Sequence, residues 1–140
     1  MAPTRLFTLS GAARSDPAVK RWFGDPPVGL RALAQRWFEQ MRSCGTDVVE
    51  LLHDGHPTAC IADLAFGDVN AFRNHVNIGF FFGSVLEDPA GLLEGTGRFM
   101  RHVKVGPDLP QSEPALQALI ATAYADAKAR QAARHATGAD

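Results

Sequence analysis

The chain has 140 residues, 46% hydrophobic and 21% charged, with a net charge of −1. That length fits one domain, and the composition is ordinary for a globular chain, so disorder and a two-domain layout are set aside. Near-neutral charge builds no general field for nucleic acid or an anionic membrane, and neither partner is expected.

Cys44 and Cys60 form no CxxC pair or zinc-type spacing. Two such thiols fit buried small hydrophobes in a reducing compartment, so a cytoplasmic location is expected. No run approaches the ~20 apolar residues that a membrane span needs. Residues 1–15 read as a flexible arm, 16–135 as a single domain and 136–140 as a frayed end.

Asp16-Pro17 is an N-cap followed by proline at the first helical position. Val19, Trp22 and Phe23 then recur at helical spacing, and Gly24 ends the helix. Asp25-Pro26 repeats the start signal. Leu30, Leu33, Ala34, Trp37, Phe38 and Met41 form one apolar stripe, with Gly45 as the stop.

The period then changes to two. A strand is expected over 47–53, a turn at Asp54-Gly55 and a second extended run over 58–66. Gly67-Asp68 and Asn70 read as a reversal. The stretch 75–82 is the most strand-like, with Val76, Ile78, Phe80 and Phe82 on one face. Asp88-Pro89 reads as the start of one helical turn through Leu93, broken by Gly95 and Gly97, and 99–105 as the last strand. Ser112 can cap a final helix whose stripe is Leu116, Leu119, Ile120, Ala123, Tyr124 and Ala127. The expected fold is α+β: an antiparallel sheet of about four or five strands, with N-terminal and C-terminal helices packed on one face.

Two segments carry a family resemblance. One is ELLHDGHPTAC at 50–60. The other runs from FRNHVNIGFF at 72–81 through DPAGLLEGTG at 88–97 to MRHVK at 100–104. Together they resemble the YdhG-like family, bacterial domains of unknown function, across about 16–133. The resemblance implies a compact α+β domain and supplies no activity. Some relatives carry a frataxin-like, iron-chaperone label, a role pictured with an acidic ridge on a helix. Here the N-terminal helices hold Arg31, Arg36 and Arg42 against Glu39, so the iron label transfers poorly.

The glycines around Thr96 suggest a phosphate loop, but they lead into a strand, and helix termination explains them. The histidines form no HExxH or i, i+4 pair. No GxSxG is present, and Ser84 and Thr96 have no base nearby in sequence.

Strand alternation offers a more specific expectation. With Val76, Ile78 and Phe80 in the core, His75, Asn77 and Phe81 point outward. Met100, His102 and Lys104 share that outer face, as do Ile61, Asp63, Glu50 and Leu52. Arg101 has core parity, so either a bulge occurs there or its stem packs inside and its head reaches the edge. The expected ligand site is His75, Asn77, Phe81, Met100, Arg101, His102, Lys104 and Asp63, and the expected ligand is small and anionic.

The leading expectation is a binding or interaction domain without catalysis or a cofactor. Its partner is a small molecule or a protein, and the sequence leaves its oligomeric state open. A second reading, prompted by the family label, is an iron-handling protein with His and carboxylate ligands. A third is a small-molecule enzyme of unrecognised class.

Overall fold

The structure is a computed structural model that describes residues 7–109 and 111–137. It has the expected class. Helices α1 (Pro17–Gly24) and α2 (Val28–Arg42) precede five strands, β1 (Val48–His53), β2 (His56–Ile61), β3 (Leu64–Ala71), β4 (Val76–Phe80) and β5 (Arg101–Val105). Helix α3 (Glu113–Thr137) closes the chain. The strands form one antiparallel sheet in the order β1-β2-β3-β4-β5, so every strand pairs with its sequence neighbour.

The caps work as the sequence indicates. The Asp16 side chain accepts from the Ala18 amide at 2.9 Å, with Pro17 at the first position. Ser112 Oγ accepts from the Ala115 amide at 3.2 Å before α3. Helix α2 starts later than Asp25-Pro26 suggests, because Pro26 is itself followed by a proline that disfavours helical backbone there.

Two expected boundaries are corrected. The run over 58–66 is two strands, because the chain reverses at Ala62-Asp63, where Ala62 takes φ 53°. Gly67, Asp68 and Asn70 do not turn; they lie inside β3. The Asp88-Pro89 segment is also not helical. There the Asp88 carboxylate accepts from the Leu92 and Leu93 amides at 2.9 and 2.8 Å and holds a loop.

The helices lie on one face of the sheet. Val69, Val76, Ile78, Phe80, Val103 and Val105 point into that layer and meet Trp37, Phe38, Met41, Leu116 and Ile120. Gly67 belongs to the same face, and a Cβ there would stand 2.9 Å from Met41 Sδ. Glu50 also points to the helices, contrary to the outward placement expected of it. Its carboxylate accepts from the Asp16 amide at 3.0 Å and pairs with Arg42 Nε at 3.1 Å. Ile61 is buried as well: it pairs with Val48, on the same face of β1 as Glu50, so it too points to the helices.

Of the arm expected over 1–15, residues 1–6 lie outside the described residues. Residues 7–13 add to the sheet: the Ala65 amide donates to Phe7 O at 2.9 Å, and Ala13 exchanges backbone hydrogen bonds with Glu50. The expected frayed end at 136–140 lies outside the described residues from 138 on. Among the described residues no helix is long and apolar enough to cross a membrane.

Candidate functional site

The sheet face away from the helices holds a groove of about 530 Å³. Four other concavities are smaller, about 160–310 Å³. The register explains its floor. Thr58, Asp68, Gly79 and His102 form one row across the sheet, and Asn70, Asn77 and Lys104 the next. A loop over 95–100 forms one wall, and Phe72, in the turn after β3, stands at the other side.

Asp68 and His56 both line the groove. Asp68 Oδ2 is 3.4 Å from His56 Nδ1, and both side chains are largely buried. The contact is a charge pairing rather than an aligned hydrogen bond, since His56 Nδ1 has no hydrogen-bond partner and no water access. The carboxylate fits because its cross-strand neighbour is glycine: a Cβ on Gly79 would stand 2.0 Å from Asp68 Oδ1.

Asp68 raises the pKa of His56 by favouring the imidazolium; burial opposes this, and Asp54 adds a smaller push upward. A histidine whose folded pKa is raised contributes stability below its ordinary value of 6.5 and loses it as pH rises through the folded pKa. Wild-type stability is therefore expected to fall above pH 6.5 relative to His56→Gln. Denaturation midpoints measured across that range for both proteins check this, and parallel profiles would count against the pairing.

The candidate residues read from the sequence separate into two groups. Asn77, Met100, Arg101 and His102 line the groove, and Lys104 lies on the same face, 3.7 Å from Glu94. Arg101 follows the second of its two expected arrangements. Its stem packs against Gly83, and its head donates to the carbonyls of Gly97 and Met100, which pins the wall loop.

The other three stand elsewhere. His75 stacks on Phe72 at the rim, with ring centroids 4.9 Å apart. Phe81 is not on the outer face. Strand β4 ends at Phe80, alternation stops, and the Phe81 ring is buried edge-on against Phe7 at 5.2 Å. Asp63 sits in the β2–β3 turn, paired with Arg134 at 2.7 Å.

His56, Asp68, Asn70, Phe72 and Gly79 are groove residues that the sequence reading missed. The signal existed: Asp68 and Asn70 alternate with Val69 and Ala71, the same period-two pattern that identified the other strands.

Among the described residues, no three His, Cys, Asp or Glu side chains gather where they could hold a metal ion. Neither cysteine is bridged, and burial pushes the Cys60 thiol up to about 12. That leaves Cys60 a buried hydrophobe rather than a nucleophile.

The fold and groove together define a small α+β domain with one covered sheet face and one concave, polar-floored face. No protein-family model, curated protein or solved structure matches the chain.

Proposed function

We propose that this chain is a cytoplasmic binding domain of the YdhG-like family that takes a small anionic ligand in the outer-face groove. The observation that carries the reading is the lining: His56, Arg101 and His102 all line the groove, with Asp68 as the carboxylate among its lining residues. Asp68 is already engaged by His56. The guanidinium and the imidazoles are donors suited to a carboxylate or phosphate. The groove volume lies in the range that small-molecule sites occupy.

Replacing His102 and Lys104 together with alanine tests this. Both point away from the helix layer, so stability should change by no more than about 0.5 kcal/mol per substitution. Binding of acetate or inorganic phosphate, followed by backbone amide shifts in β4 and β5, should weaken in the double variant. An unfolded double variant would place these side chains in a structural network. Unchanged affinity would place the anion elsewhere.

A further inference from the structure

We propose that the ligand of this groove is an aromatic anion, with its ring held between Phe72 and Met100 and its charged group directed at Arg101 and His102. The inference rests on the anion-binding reading above and adds the chemical class of the rest of the molecule.

Large exposed apolar side chains are few among the described residues: Val28, Phe72, Val85, Met100 and Leu109. Two of these five, Phe72 at 42% and Met100 at 37% exposure, line the same groove. An isolated exposed hydrophobe needs no explanation, but two at one polar-floored concavity form a specific apolar surface.

Both are held on fixed backbone. The Phe72 amide donates to His75 O at 2.8 Å, which closes the β3–β4 turn. The His75 ring lies parallel to the Phe72 ring, at an interplanar angle of 11°. On the opposite wall, the Arg101 guanidinium grips the Met100 and Gly97 carbonyls. The backbone of both walls and the Phe72 ring are therefore held before a ligand arrives, which lowers the ordering cost of binding.

The two side chains suit a flat ring. Phe72 offers an aromatic surface for offset or edge packing, and the Met100 thioether packs favourably against aromatic rings. The floor between them carries the Asn70 and Asn77 amides, which can meet polar substituents on the ring edge. The Arg101 guanidinium and the His102 imidazole lie at the Met100 side, where both follow it in sequence and line the groove. An aliphatic anion as small as acetate would reach the charges and leave the apolar walls wet.

Benzoate and acetate carry the same charged group and differ in the ring, so they separate the two readings. Both are titrated into the full chain, with amide shifts of β4 and β5 as the readout and benzamide as the uncharged control. Benzoate is expected to bind about tenfold more tightly than acetate. Phe72→Ala should remove most of that advantage while leaving acetate binding unchanged, and Met100→Ala should remove part of it. Unchanged acetate binding also reports that each variant is folded.

Equal affinity for benzoate and acetate would overturn the aromatic assignment and leave the anion site standing. Benzamide binding as tightly as benzoate would overturn the anionic half of it. No binding of any of the three would overturn both proposals. A benzoate advantage that survives both substitutions would place the ring elsewhere and overturn the assignment to Phe72 and Met100.

Discussion

Phe80→Ala is expected to lower stability by about 3–5 kcal/mol, the range for removing a buried phenylalanine ring. Phe80 is 1% exposed and ends β4 on the helix side of the sheet. Its cross-strand partner is Gly67, which brings no side chain to that face, so the ring is among the main fillers between β3, β4 and α2. The space has little means of closing after truncation, because the neighbouring Met41 already lies against Gly67. A chemical-denaturation midpoint measured with and without the substitution checks this. An unchanged midpoint would mean that the face of β4 is reversed.

The second large effect is expected at Glu50. Its carboxylate reaches from β1 to two parts of the helix layer, the backbone amide of the α1 cap residue Asp16 and the Arg42 guanidinium. Glu50→Ala would strip both of this acceptor. Removing one partner of a buried ion pair usually costs about 3–5 kcal/mol. Arg42 keeps its bonds to the carbonyls of Val48 and Arg14 and is partly exposed, so about 2–3 kcal/mol is expected.

The charge itself contributes less than the hydrogen bonds. Burial pushes the pKa of Glu50 up, against the lowering from the Asp16 amide and Arg42. A carboxyl with a raised folded pKa binds its proton more readily when folded, so its contribution improves as pH falls from the folded value toward the unfolded one. Glu50→Gln keeps an acceptor without the charge and should cost under about 1 kcal/mol. A glutamine variant as damaged as the alanine variant would show that ionic pairing dominates.

What could be read from the sequence follows from which signals are local. Asp16-Pro17 and Ser112 mark helix starts through side-chain chemistry that acts within a few residues, and Asp54-Gly55 supplies the positive φ values, 51° and 83°, that a tight hairpin needs. The Ala62 turn has no such mark. Alanine rarely adopts positive φ, and the surrounding pairing imposes it.

That one missed turn shifted the next boundary, so Asp68 and Asn70 were read as a reversal rather than as outer-face strand residues. Phe81 was misplaced for a related reason, because alternation holds only while the strand lasts. Asn77, His102 and Lys104 were read on the right face because β4 and β5 pair without a bulge. Glu50 was read outward because polar residues usually face solvent, and its partners Asp16 and Arg42 are distant in sequence.

The carboxylate of Asp68 occupies the place that any side chain at position 79 would need. Positions 68 and 79 are therefore sterically coupled. A chain that gains a side chain at 79 must move the acid off the groove floor, and with it the charge that holds His56. Drift at either site alone changes the groove, whereas the rest of β4 can vary in apolar volume with the floor intact. The two positions lie eleven residues apart in sequence, yet they set one piece of surface chemistry, because the acid keeps its place only while position 79 has no side chain.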